Sequence, residues 1–206
     1  MLSIALPKGR LGNKVYEMLE KLGYDCKEIK EDNRKLIFEN KEKGLQFLLV
    51  KPSDVGIYVE KGAADIGVVG RDILLENEHN IYELLDLGFG RCKFSVASKV
   101  DFVEDLDRPL VVATKFPNIS KKYFDSVSRD VEIIKLNGSI EIAPIVGLSD
   151  VIVDIVETGN TLKENNLSVV TDIVDISARV IANKSSYRFK NAEITEMIDK
   201  IKEAIK

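Results

Sequence analysis

Six residues between positions 154 and 161 have the types and spacing to hold a sugar phosphate. Asp154 and Glu157 lie three apart, and Thr158-Gly159-Asn160-Thr161 follows at once. The threonine hydroxyls can donate hydrogen bonds, and glycine lets the backbone approach a ligand closely. A bare phosphate site does not favour two carboxylates beside it. A phosphate carried on ribose does, because the carboxylates can accept from ring hydroxyls or face a metal ion. The residues just before, SDVIVDIV, form a short apolar run that predicts a buried strand, and Leu162-Lys163-Glu164-Asn165 predicts the start of a short helix. Strand, small polar loop and helix start together aim backbone N–H groups outward at an anion. TGN is equally an ordinary turn, since Thr and Asn are common helix caps, so the loop alone leaves both readings open.

A second set of charged residues sits at the other end of the chain. Leu2 to Leu6 predicts a strand and Gly12 to Leu22 a helix with Val15, Met18, Leu19 and Leu22 on one face, which places Lys8-Gly9-Arg10 in the strand-to-helix loop. Ligands of open α/β sheets bind at the carboxyl ends of strands, so two cations on a glycine loop there suit an anion; solvated surface charge is the usual fate of such residues. Leu36 to Phe38 and Leu45 to Val50 predict a hairpin, with Arg34 just before it and Lys51 just after. Asp54 or Ser53 can cap a helix from Val55 to Lys61. Asp65 to Gly70, Lys93 to Ala97, Leu110 to Thr114 and Val131 to Leu136 predict further strands. Helices are expected over Ile73 to Glu76, Ile119 to Phe124, Glu141 to Val146 and Asn191 to Lys206, and a β-rich return over Leu167 to Ala182. Alternating strands and helices imply βαβ units and parallel pairing.

The spacing from Glu141 to Leu162 resembles the signature of the ATP phosphoribosyltransferase family, on Glu141, Gly147, Ser149, Ile152, Asp154, Thr158, Gly159, Thr161 and Leu162. The similarity extends through Lys8-Gly9-Arg10, KPSDVGIYVEKGAADIGVVGRDIL and Ala113-Thr114-Lys115-Phe116, nearly the whole chain. It implies a two-lobed, type II periplasmic-binding-protein-like α/β fold, with mixed, mostly parallel sheets and a central cleft. The first lobe would be residues 1–91 plus 179–206, and the second 92–178. The implied reaction joins C1 of 5-phosphoribosyl 1-pyrophosphate to N1 of ATP and releases diphosphate, the first step of histidine biosynthesis. By the same resemblance Thr158 to Thr161 hold the 5-phosphate, Asp154 and Glu157 the ribose hydroxyls, and Lys8, Arg10 and Arg34 face the pyrophosphate. Glu141, Lys51, Asp54, Thr114 and Lys115 are further candidates for the cleft. Mg²⁺ would be held mainly by substrate oxygens. The chain ends with its last predicted helix, without the histidine-binding domain of long family members, which implies the short form. That form self-associates as a dimer and joins a regulatory subunit resembling histidyl-tRNA synthetase.

Composition narrows the rivals. The chain has 206 residues, 45% hydrophobic and 31% charged, with net charge −4. That balance suits a globular protein and argues against a general nucleic-acid binder. No apolar run is long enough to span a membrane, and the apolar start is too short for a signal peptide, so a cytoplasmic protein is expected. Cys26 and Cys92 suit free thiols there, and His79, in the polar ENEHN loop, reads as a surface residue. A non-catalytic two-lobed binding module is the main rival, since fold does not fix function, and a transferase acting on another base is the second.

Overall fold

The computed structural model describes residues 1–31 and 34–205. Asp32 and Asn33, in the polar stretch before the hairpin, and Lys206, the expected end of the last helix, lie outside the described residues. The chain divides into two compact units, Met1–Gly90 with Ser177–Lys206, and Arg91–Ile176. Both crossings fall slightly before those expected at residues 91 and 178.

The first unit runs β1 (Leu2–Pro7), α1 (Arg10–Lys21), α2 (Lys27–Lys30), β2 (Ile37–Asn40), β3 (Leu45–Val50), α3 (Val55–Glu60), β4 (Ile66–Gly70), α4 (Arg71–Asn77) and β5 (Tyr82–Asp86). The second contains β6 (Cys92–Lys99), β7 (Leu110–Thr114), α5 (Pro117–Ser126), β8 (Val131–Lys135), α6 (Ile142–Ile145), β9 (Val151–Val156), α7 (Asn160–Glu164) and β10 (Leu167–Ile176). The chain then returns through β11 (Ala178–Ala182), α8 (Lys184–Phe189) and α9 (Asn191–Ala204). The β-rich return is thus two strands, parted at Ser177, that join different sheets.

The first sheet has the order β2-β3-β1-β4-β11-β5 and the second β10-β6-β9-β7-β8. Both are mixed. Among the described residues parallel pairing covers only β3-β1-β4 and β9-β7-β8, less than the βαβ reading implied, because the β2–β3 hairpin, β6 and the returning strands β10 and β11 add antiparallel neighbours.

Strand periodicity assigns the core of the first unit. Leu2, Ile4 and Leu6 of β1, with Val180 of β11, pack on one face of the sheet against Val15 and Leu19 of α1 and Ile194, Met197 and Ile201 of α9. Ala5 and Ile181 point to the other face, against Val55 and Val59 of α3. Strands covered on both faces read as continuous apolar runs, as β1 does. Helix α1 starts at Arg10, earlier than expected, and seats tightly: a Cβ on Gly12 would lie 2.0 Å from the Pro7 carbonyl oxygen. The Tyr16 hydroxyl donates to that same oxygen at 3.2 Å.

Three sequence expectations need correction. The helix expected over Glu141 to Val146 is the single turn Ile142–Ile145. Neither Asp54 nor Ser53 caps α3: Asp54 makes no capping bond and instead accepts from the Ser53 hydroxyl at 2.8 Å. His79 is not a surface residue. Its side chain is 10% exposed, its ring lies against Gly56, and its Nδ1 is 3.3 Å from Glu60 Oε2. Cys26 is buried, and burial foremost, helped by Glu20, pushes its thiol up to about 11.

One buried carboxylate ties the first unit together. Asp65, 5% exposed, accepts from the Ser3 amide at 2.8 Å, the Ser3 hydroxyl at 3.0 Å, the Ser186 hydroxyl at 2.7 Å and Lys190 Nζ at 2.7 Å. It therefore links β1 to the segment that returns last. Burial alone would raise its pKa, but the bonds from Lys190, Ser3 and Ser186 outweigh it and hold the carboxyl below the usual range. Asp65→Ala should lower unfolding free energy at pH 7 by roughly 3 kcal/mol, read from urea denaturation. Because the folded pKa is depressed, this contribution is present above the unfolded value of about 3.9 and is lost as pH falls through the folded one. The gap between wild type and variant should therefore close in acid.

Candidate active site

The signature segment folds as strand, loop and helix within the second unit. Val151, Ile152 and Val153 of β9 are buried between β6 and β7, while Asp154, further along, is half-buried. The start of β9 is pinned by Asp150, which accepts two bonds of 2.7 Å from the Arg108 guanidinium and one of 2.9 Å from the Val111 amide. The Arg108 guanidinium, more than the Val111 amide, holds the Asp150 carboxyl below its usual range.

Past β9 the loop turns on Gly159, whose φ of 73° lies in the left-handed region. The space beside it is open: an added Cβ would meet only Val156 Cγ1, at 3.9 Å. Backbone conformation, not crowding, is what demands glycine there. The Thr158 hydroxyl oxygen accepts from the Asn160 amide at 3.4 Å, and the Gly159 carbonyl accepts from the Lys163 amide at 3.1 Å. Thr161 and Leu162 occupy the first turn of α7, where amides have no carbonyl one turn back within the helix. Helix α7 has only five residues, so what the loop offers a ligand is local amides and hydroxyls more than a helix macrodipole. Glu157, Thr158, Asn160 and Thr161 are exposed, ready to meet a ligand.

A cavity of about 620 Å³ adjoins the loop. Glu157, Thr158 and Gly159 form part of its wall, and Lys93, Ser95 and Asp172 another part. These last three were not singled out in the sequence. They come from β6 and the edge strand β10, whose pairing only the fold reveals. Asp172 accepts from Lys93 Nζ at 2.6 Å and from the Ser95 hydroxyl at 2.8 Å. Lys93 first, then Ser95, lowers the Asp172 pKa. Asp154 and Asp172 are both register partners of Ser95, so all three share one face of the sheet.

Asp154 has a different environment. Burial chiefly raises its pKa, Glu141 adds to the rise, and the Ile155 amide and Lys115 oppose it. Asp154 therefore lies within electrostatic reach of both Glu141 and Lys115. Thr114 does not belong with them. It is fully buried, its hydroxyl donates to the Val153 carbonyl at 2.7 Å, and its oxygen accepts from the Phe116 amide at 2.9 Å. Its role is to join β7 to β9.

Lys8, Arg10, Arg34, Lys51 and Asp54 all lie in the first unit. Lys8 and Lys51 follow the adjacent ends of β1 and β3, where the Lys8 amide donates to the Val50 carbonyl at 2.9 Å. Lys8 lines a cavity of about 470 Å³ with Asn13, Lys30 and Lys35. Arg10 opens α1, and Arg34 is exposed before β2. Among the described residues no three His, Cys, Asp or Glu side chains are placed to hold a metal ion, and no helix is long and apolar enough to cross a membrane.

The two mixed-sheet units define a type II periplasmic-binding-protein-like fold. The chain shares this fold with the periplasmic aliphatic sulphonate binding protein SsuA from Escherichia coli (TM-score 0.61, 12% identity, 99% of this chain and 72% of that one). Similarity at that level is similarity of fold alone. The family described as HisG: ATP phosphoribosyltransferase matches residues 51–203. The ATP phosphoribosyltransferase of Brachyspira hyodysenteriae is 66% identical over 206 residues, all of both chains. That of Clostridioides difficile is 56% identical over 96% of this chain and 95% of its own. A solved ATP phosphoribosyl transferase (HisG:HisZ) complex from Thermotoga maritima aligns at TM-score 0.87 and 38% identity, covering 100% of this chain and 98% of that one. The chain belongs to the ATP phosphoribosyltransferase family. The reading of Thr114 as a joint between strands is open to measurement: Thr114→Val should strand the Val153 carbonyl and Phe116 amide and cost about 1–3 kcal/mol in urea denaturation.

Proposed function

We propose that this chain transfers the 5-phosphoribosyl group of phosphoribosyl pyrophosphate to N1 of ATP, giving N1-(5-phospho-β-D-ribosyl)-ATP and diphosphate. This is the first step of histidine biosynthesis. The observation that carries the reading is the 66% identity to an ATP phosphoribosyltransferase over the full length of both chains. A non-catalytic binding module is not favoured, since the binding-protein neighbours are 12% identical to this chain, a likeness of fold alone.

Adenine N1 carries a free lone pair, so the acceptor needs no strong base. The demand falls on the leaving side, where negative charge grows on pyrophosphate and positive charge on the ribose ring. The loop from Thr158 to Thr161 binds the 5-phosphate through its amides and hydroxyls. Asp154 and Glu157 accept from the ribose hydroxyls and offset charge on the ring, with Glu141 and Lys115 tuning Asp154. Lys8, Arg10 and Arg34 are assigned to the pyrophosphate, with Lys51, beside Lys8 at the strand ends, and Asp54 as further candidates. Mg²⁺ takes hard oxygen ligands and would be held mainly by the oxygens of the substrate. When bound, the ion neutralises charge on the pyrophosphate oxygens.

The chain takes the HisG place in an assembly of the HisG:HisZ kind, self-associating as a dimer with a histidyl-tRNA-synthetase-like regulatory subunit in the HisZ place, in the cytoplasm. The Thermotoga maritima (HisG:HisZ) complex supports the partnership with a second kind of subunit.

Purified chain, with and without that subunit, would be given ATP, phosphoribosyl pyrophosphate, Mg²⁺ and pyrophosphatase, and the N1-ribosylated nucleotide followed by absorbance. Product that falls at least ~100-fold in a Gly159→Ala, Thr161→Ala double variant is expected. No product from the folded chain with its partner present would overturn the transferase reading. A second expectation concerns pH. Because the Asp154 pKa is raised, acidification should protonate it above the ordinary value of about 3.9. The KM for phosphoribosyl pyrophosphate should then climb with falling pH in wild type. Asp154→Asn should show a higher KM at neutral pH and little change over that range.

A further inference from the structure

We propose that Lys93 is a further binding residue for the 5-phosphate and that Asp172, anchored by Ser95, positions it. The proposal rests on the sugar-phosphate reading of the neighbouring loop. Lys93 is the register partner of Val156, the residue immediately before Glu157, so its backbone lies beside the entrance to the loop. Its side chain and those of Asp172 and Ser95 border the same cavity as Thr158 and Gly159.

The three residues form an ordered chain of donors and acceptors. Ser95 is 1% exposed and cannot move far, and its hydroxyl donates to Asp172 Oδ1 at 2.8 Å. That bond fixes the Asp172 carboxylate, whose other oxygen accepts from Lys93 Nζ at 2.6 Å. An ammonium has three N–H donors, and this bond uses one of them. The Lys93 and Asp172 side chains are 52% and 45% exposed, so the head group meets the cavity rather than the core. A solvated lysine loses entropy when a ligand orders it; one already held in place loses less.

Edge-strand irregularity makes the arrangement possible. Register shifts between Val169 and Thr171 and between Asp172 and Val174 interrupt β10. The first shift sets Asp172 opposite Ser95, where an unbroken strand would set Thr171, and so puts the carboxylate on the face that Ser95 shares with Lys93; the second sets Asp175 opposite Lys93. Bulges re-aim side chains in this way beside functional sites.

An exposed Lys–Asp pair has a bland explanation as a surface ion pair of little consequence. Calorimetry with ribose 5-phosphate, and with ribose as the uncharged control, separates the two. Lys93→Met should weaken ribose 5-phosphate binding about 10-fold or more, as expected for a charge-assisted bond, and leave the thermal midpoint unchanged. Lys93→Arg should recover most of the loss. Asp172→Asn should weaken binding about 3-fold or more, yet add nothing in the Lys93→Met background, because Asp172 acts through Lys93. Full binding in Lys93→Met alongside lost binding in Gly159→Ala would overturn the proposal and leave the loop reading standing. Additive losses in the double variant would overturn the positioning role of Asp172. Failure of the folded wild-type chain to bind either ribose 5-phosphate or phosphoribosyl pyrophosphate would overturn the loop reading, and the proposal with it.

Discussion

The antiparallel pairing of β6 with β9 is the constraint on which the site depends. It runs from Lys93 opposite Val156 to Ser98 opposite Val151. Side chains alternate faces along a strand, so a slip of one residue would turn Ser95 and Lys93 away from Asp154 and the loop. Burial prevents the slip. Phe94 and Val96 on one side of β6, and Ala97 on the other, are almost fully buried, and a shift would exchange core for polar positions on both strands. The register that places chemistry is thus held by residues that perform none.

Charge is distributed around the loop by environment rather than by residue type. Asp154 and Asp172 share a sheet face across Ser95, yet burial pushes one carboxyl up, while Lys93 and Ser95 pull the other down. Two aspartates with opposed shifts can serve different purposes: one as a half-buried acceptor for ring hydroxyls, the other as a fixed anion that orients a cation. Arg108 and Asp150 show a third use, fastening the beginning of β9 where no ligand is expected.

The first unit solves a different problem, that of a chain which leaves and returns. Its last elements must dock on its first. Ile194, Met197, Ile198 and Ile201 of α9 supply the apolar area, and Asp65 supplies the direction through its bonds to Ser3, Ser186 and Lys190. Asn183 adds a second clasp, accepting from the Ser185 and Ser186 amides while donating to the Val59 and Glu60 carbonyls. Apolar contact alone is non-directional; buried polar bonds select one seating among those it would allow.

The sequence by itself determined the elements and the loop. Apolar runs marked the strands, the stripe on α9 marked its core face, and Asp154 to Thr161 marked the strand, glycine turn and helix start that the structure shows there, because these signals are local in the chain and follow strand and helix periods. The hairpin of β2 and β3 was legible, but the antiparallel pairings made by β6, β10 and β11 were not, so parallel pairing was overestimated. Tertiary structure decided what depends on residues distant in sequence. It buried Thr114 between two strands, packed His79 against Gly56 and Glu60, and, through a bulged edge strand, brought Lys93, Ser95 and Asp172 beside the loop. A period of two cannot foretell an inserted residue, and a partner 77 positions away, as Asp172 is from Ser95, leaves no mark in the local pattern.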